Sequence, residues 1–168
     1  DCKMIVSNAT PLIYLAKIGR LELLKRIFKE VLISEEVKIE VVDEGKRLRK
    51  NDALLVEKAI GAGWIKVKKA SSLADTPFGI EKGEKSVIAL AKGIGTKEVL
   101  IDEAAARAAA KLSGLVPRGT VFVLLKALKL KEITFDEFLK CLEELVKKGF
   151  RLREEIYIKA VEEARKFL

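Results

Sequence analysis

The chain holds no histidine. Ser-His-Asp and Cys-His catalysis, histidine general bases and most zinc sites are therefore closed to it, which leaves carboxylates, lysines and two cysteines. The carboxylate in the most telling place is Asp102. It ends the apolar run Val99-Leu100-Ile101 and is followed by Glu103 and the alanine-rich stretch Ala104-Ala105-Ala106-Arg107. Three apolar residues bounded by charge read as a buried strand, with Asp102 at the carboxyl end where open α/β sheets collect ligands. Taken alone, Asp102 reads more simply as the N-cap of the following helix, because aspartate is a favoured cap and complements the helix dipole.

Four further residues keep it company. Asn8 ends a short apolar strand from Lys3 to Val6, inside Ser7-Asn8-Ala9-Thr10-Pro11, where Thr10 is expected to cap a helix that begins at Pro11. Glu40 falls beside the inward face set by Val37 and Val41 on a helix capped by Ser34. Glu84 sits in the first turn of a helix from about Glu81 to Lys92, which Gly93 and Gly95 end. For Glu40 a site role and a solvated one weigh equally, and so do a site role and a dipole-complementing one for Glu84. Thr120, after Gly119, reads first as an N-cap and second as a site hydroxyl. Glu103 reads as a solvated first-turn acid, and Asp43 and Glu44 as surface acids.

These residues must be positioned by a fold. Strands near 3–6, 31–33, 64–67, 99–101 and 115–117 alternate with helices. That alternation predicts an α/β protein, a three-layer α/β/α sandwich around a parallel sheet of about five strands. Right-handed crossovers then gather Asn8 and Asp102 at one edge, with the helix starts at Glu84 and Thr120 close by. Three carboxylates (Glu40, Glu84, Asp102) and one amide (Asn8) converging without histidine would suit Mg²⁺ or Mn²⁺, hard cations served by oxygen. Thr134 and Glu137 form a capping box for a helix to Lys147. At 168 residues the chain is expected to be a single domain, with about 151–168 a charged amphipathic C-terminal helix.

Composition bounds the partners. A formal charge of +8 and a pI near 9.4 favour polyanions, because each neutralised phosphate releases counterions. Lys46 to Asp52 is a basic connector that could touch a phosphate backbone but reads first as a wet loop. Gln is absent, and Asn occurs only at positions 8 and 51 in a Lys- and Glu-rich chain, which points to a thermophile source. Cys2 and Cys141 lie too far apart for a zinc knuckle, and no stretch is long and apolar enough to span a membrane or serve as a signal peptide. A cytoplasmic protein is expected, with a trimmed start because residue 1 is not Met. The longest loop, Lys69 to Gly79, holds Ser71, Ser72, Asp75 and Pro77 and is expected to border the functional face. Nothing resembles GxGxxG or GxxxxGK[ST], which disfavours a nucleotide-binding or receiver-like domain.

Several motifs, taken in order, carry a family resemblance. They are Met4-Ile5-Val6-Ser7-Asn8-Ala9-Thr10-Pro11-Leu12-Ile13-Tyr14-Leu15-Ala16, the Glu40 helix, Gly83-Glu84 before Ser86-Val87-Ile88-Ala89-Leu90-Ala91, Leu100-Ile101-Asp102-Glu103 with Arg107, and Gly119-Thr120. Together they resemble PIN-domain proteins, over about residues 3 to 157, and within them the VapC-like branch, whose members are often toxins of toxin–antitoxin pairs. The tail Lys148-Gly149-Phe150-Arg151-Leu152 resembles that branch too. The resemblance implies a ribonuclease dependent on Mg²⁺ or Mn²⁺, with Glu40, Glu84 and Asp102 at the family's acidic positions and Thr120 as a supporting hydroxyl. It also implies RNA as substrate, with Arg107, Arg118 and Lys82 as candidate phosphate contacts that each read more simply as a surface base, a small antitoxin as partner and a homodimer. Asn8 stands where active members usually carry Asp; it can offer a carbonyl oxygen but no charge. That departure opens a second reading, a module that binds RNA or a protein partner without cutting.

Overall fold

In the computed structural model, five short strands form one parallel sheet in the order β3-β2-β1-β4-β5. They are β1 (Met4–Ser7), β2 (Glu30–Ser34), β3 (Ile65–Lys68), β4 (Glu98–Leu100) and β5 (Val116–Arg118). The structure describes residues 3–73, 76–77 and 79–168. Cys2 and Asp75, named above, lie outside the described residues. The central strands read as unbroken apolar runs because both their faces are covered, as parallel sheets require. Ile5, Val6, Val31, Ile33, Val99 and Leu100 are all fully buried.

The helices cover the two faces. Helix α6 (Lys82–Ile94) lies across β1, β2 and β4 and against α3 (Glu35–Lys38). A second group packs on itself: α1 (Ala9–Lys17) on α5 (Asn51–Gly61), and α2 (Leu23–Ile27) on α8 (Thr120–Lys129). Helix α8 also meets α9 (Phe135–Lys147) and α10 (Glu154–Arg165). Helix α7 (Ala104–Leu112) backs β5. This is the expected three-layer α/β/α sandwich.

The chain winds outward from β1 through β2 to β3, then returns to place β4 on the other side of β1. The gap between β1 and β4 is therefore the topological switch point, where a crevice opens at the carboxyl ends of the strands. Val6 is in register with Val99 and Ser7 with Leu100, and the Asn8 amide donates to the Leu100 carbonyl at 2.9 Å. Asn8 and Asp102 thus leave the sheet side by side.

Several local expectations need correction. The helix after Asn8 starts at Ala9 with Asn8 itself at the N-cap, not Thr10, whose hydroxyl is engaged elsewhere. Gly93 lies inside α6, and Gly95 alone ends it, in the left-handed conformation at φ 87°. Part of the basic connector is helical: after α3 the chain passes through a π-helical segment, Ile39–Asp43, into α4 (Glu44–Arg47). The Thr134–Glu137 capping box is present, with Glu137 N–H donating to the Thr134 hydroxyl at 3.1 Å.

Candidate active site

Asp102 does not cap α7. Its carboxylate points across to the start of α8, where the Thr120 amide donates to Oδ1 at 2.8 Å and the Thr120 hydroxyl to Oδ2 at 2.7 Å. Gly119, not Thr120, is the N-cap of α8, so the threonine side chain is free for this task. Thr120 is completely buried, whereas Asp102 is half-buried and lines an open cleft. A methyl on Gly119 would lie 2.8 Å from Asp102 Oδ1 and 3.4 Å from Arg107 Nη1, which accounts for glycine there. Arg107 reaches back to donate to the Ile101 carbonyl at 2.9 Å, holding the strand end from which Asp102 projects. Burial raises the Asp102 pKa; the two Thr120 hydrogen bonds oppose this, Glu103 adds to it and Arg107 lowers it.

Glu103 is the residue the sequence reading placed wrongly. It occupies the N-cap position of α7 without making a capping bond. One carboxylate oxygen, Oε1, accepts from the Thr10 hydroxyl at 2.7 Å, across 93 positions of sequence. The other, Oε2, is buried and has no hydrogen-bond partner. Native proteins seldom leave a buried carboxylate oxygen unpartnered, since the desolvation is then uncompensated.

Glu40 and Glu84 approach from the other side. Glu40 lies in the π-helical segment, a backbone form frequent at functional sites. As a residue Glu40 is largely exposed, but its carboxylate leans over the first turn of α6, so that a methyl on Gly83 would stand 3.2 Å from Oε1. Its pKa is raised first by burial of that carboxylate, then by Glu81, Glu103 and Glu84. Glu84 accepts from the Glu81 amide at 2.9 Å, completing a capping box at the start of α6. Its pKa is nonetheless raised by burial, against that hydrogen bond and with help from Glu103 and Glu81. A buried hydroxyl clasp sets the two helices: Ser86 donates to the Gly83 carbonyl at 2.6 Å, Ser34 and Ser86 oxygens stand 2.7 Å apart, and Ser34 caps α3 through Val37.

Glu40, Glu84 and Asp102 thus share one electrostatic neighbourhood, in which the Glu103 charge raises the pKa of all three. Among the described residues, however, no three carboxylates stand within reach of one ion. Asn8 is buried beside Asp102's strand, and its side chain makes no capping hydrogen bond to α1. The donor chemistry is all oxygen, as hard divalent cations prefer, and the unpartnered Glu103 oxygen fits a cation in this crevice.

The candidate phosphate contacts separate. Arg107 lines a cleft of about 1370 Å³ together with Asp102 and Glu103. Arg118 pairs with Glu98 at 3.2 Å and lies over the Phe122 ring at 4.5 Å. Lys82 is exposed on α6 and does not line that cleft. Among the described residues no helix is long and apolar enough to cross a membrane.

Two comparisons bear on this geometry. No curated protein matches the chain. A family model, DUF3368, described as a PIN domain, matches residues 4–166 and so takes in every element from β1 to α10. Its span covers Asn8, Glu40, Glu84, Asp102 and Thr120 alike, and a nuclease-type fold with a general dependence on divalent metal accompanies that assignment. The chain belongs to the PIN-domain family.

Proposed function

We propose that this protein is a divalent-metal-dependent ribonuclease that hydrolyses RNA phosphodiester bonds, acting as the toxin of a VapC-like toxin–antitoxin pair. The observation that carries the reading is the buried, unpartnered Glu103 oxygen beside the Thr120-held Asp102 at the switch point. Mg²⁺ or Mn²⁺ bound there would supply a Lewis acid for a scissile phosphate and lower the pKa of an attacking water. Asp102 and Glu103 would hold the ion, with Glu84, Glu40 and the Asn8 carbonyl oxygen as outer or water-mediated ligands.

The protein's own share is positioning. Thr120 fixes the Asp102 carboxylate in one orientation, and Thr10 fixes one oxygen of Glu103 and leaves the other unpartnered. Burial and neighbouring acids raise the proton affinity of Glu40 and Glu84, which suits them to orienting a water or taking its proton. Partners of this activity would be RNA, a small antitoxin and a second copy of the chain, in a cytoplasmic setting.

Asn8 favours a second reading, a PIN module that binds RNA or a protein without cutting, since it removes one negative charge from the ligand set. Purified protein incubated with single-stranded RNA and Mn²⁺ separates the two. Cleavage that disappears in Asp102→Asn and rises in Asn8→Asp supports the nuclease. RNA left intact by wild type and by Asn8→Asp, with Mn²⁺ binding unchanged in Asp102→Asn, refutes it.

A further inference from the structure

The cleft that contains Asp102 and Glu103 extends well beyond them, and much of its lining has no part in holding the acids. Arg107 and Lys111, four residues apart, share one face of α7, with the small Ala104 and Ala108 beside them. Opposite stands the segment that joins α9 to α10, Gly149 to Arg153, with Phe150, Arg151 and Arg153 on the lining. Lys111 and Arg151 are exposed and make no ion pair among the described residues, and Arg153 has only a 3.9 Å contact with Glu155. Three rings, Tyr14, Phe122 and Phe150, complete the walls, Phe150 meeting Tyr14 edge-on at 5.2 Å.

We propose that this cleft is a tract for single-stranded RNA, with Arg107, Lys111, Arg151 and Arg153 holding phosphates and Phe150 and Phe122 offering surfaces to unstacked bases. The proposal rests on the ribonuclease reading for the polymer's identity, and it adds where the strand lies and which residues grip it. Its volume, about 1370 Å³, exceeds that of a site for one small ligand, commonly up to about 1000 Å³. The acids and Lys111 are separated by most of α7, roughly 12 Å at about 1.5 Å per residue, so phosphates flanking the acidic centre meet cations rather than repulsion. Cations interleaved with rings, Lys111 and Arg151 among them without an ion pair among the described residues, match a strand whose charge runs along its backbone and whose bases are splayed. A duplex would hide those base faces, and an acidic peptide would leave the rings without flat partners.

The test measures affinity without turnover. Fluorescence anisotropy of a labelled single-stranded RNA in EDTA is followed against salt for wild type, Lys111→Ala/Arg151→Ala, Phe150→Leu and the control Lys58→Ala, an exposed α5 lysine off the cleft. Each lost phosphate contact lowers the slope of log K against log salt by about 0.7, hence about 1.4 for the pair, and affinity at 0.1 M salt by about 25-fold. Phe150→Leu is expected to weaken binding with the salt slope unchanged, and Lys58→Ala to match wild type. Thermal melts confirm that each variant is folded, and Arg151→Glu repeats the electrostatic test at one exposed position.

A Lys111→Ala/Arg151→Ala slope and affinity equal to those of Lys58→Ala would overturn the tract. So would equally tight binding of duplex RNA, or full displacement of the RNA by a poly-glutamate peptide of the same length. The ribonuclease reading fails separately: slope changes as expected, with no cleavage in any divalent metal, would leave the tract standing and remove the catalysis.

Discussion

Thr120→Val isolates the contact on which the acidic centre depends. Valine keeps the volume and the branch at Cβ but removes the hydroxyl that donates to Asp102 Oδ2 at 2.7 Å, leaving only the backbone bond to Oδ1. Thr120 is fully buried, so the valine side chain takes the same enclosed place without a donor. A hydrogen bond to a charged group is worth about 1.5–3 kcal/mol net. For a chain of 168 residues this corresponds to a fall in Tm of roughly 3–12 °C, at about 2–4 °C per kcal/mol. Circular dichroism melts at neutral pH measure it, with Thr120→Ser as the control that keeps the hydroxyl. Because the Thr120 hydroxyl lowers the Asp102 pKa, the deficit is greatest where Asp102 is ionised and shrinks as pH falls through its raised folded pKa. In an Asp102→Asn background the same substitution should cost clearly less, since the hydroxyl no longer serves a charge. A Tm within about 1 °C of wild type, or an equal loss in the Asp102→Asn background, would refute this account of the site.

Gly119→Ala should distort the same pair by contact alone: φ at Gly119 is −105°, which alanine adopts freely, while its methyl would meet Asp102 Oδ1 at 2.8 Å. A lower Tm with Mn²⁺ affinity reduced as in Thr120→Val is the expected result, read by melts and isothermal calorimetry. Glu103→Gln should leave the metal-free protein as stable as wild type or more so, because it removes a charge that raises the pKa of three neighbours, yet lose Mn²⁺ binding. Metal-free protein should also respond to pH with a defined sign. Glu40, Glu84 and Asp102 bind protons more tightly folded than unfolded, so their contribution to stability is highest in mild acid. It declines as pH rises from the ordinary carboxylate range through the raised values. Saturating Mn²⁺ should reverse that decline, which melts across pH 4.5–7.5 with and without metal would measure.

The sheet and most helices were legible because their signals are local and periodic. Val31-Leu32-Ile33 and Val99-Leu100-Ile101 are apolar without alternation, as doubly covered parallel strands must be, and each is fenced by charge or a cap. The pairing of Asn8 with Asp102 followed from chain order and crossover handedness, and the β1–β4 register bears it out. What was not legible depends on contacts between distant residues. Nothing near Thr10 says that its hydroxyl is used by Glu103, and nothing near Asp102 says that Thr120 rather than the α7 amides satisfies it. The π-helical segment at Glu40 has no sequence mark, because an i→i+5 turn uses the same residues as an α turn. One signal for Glu103 was present. Glutamate is not among the favoured N-cap residues, so an Asp-Glu pair placing Glu at the cap and Asp before it was already out of pattern.

The two neighbouring acids divide a conflict between folding and chemistry. Asp102 is half-buried but doubly hydrogen-bonded, and such a carboxylate is fixed and stable in the absence of metal. Glu103 is held by one oxygen and leaves the other buried and unpaired, an arrangement that costs stability unless something cationic enters. If both acids were satisfied by protein donors, the crevice would be a well-folded polar network with little affinity left for an ion. If neither were, three further acidic groups nearby, Glu40, Glu81 and Glu84, would favour protonation or local unfolding. One acid anchored and one left open is the arrangement in which a divalent ion gains most from binding and the fold loses least while waiting for it.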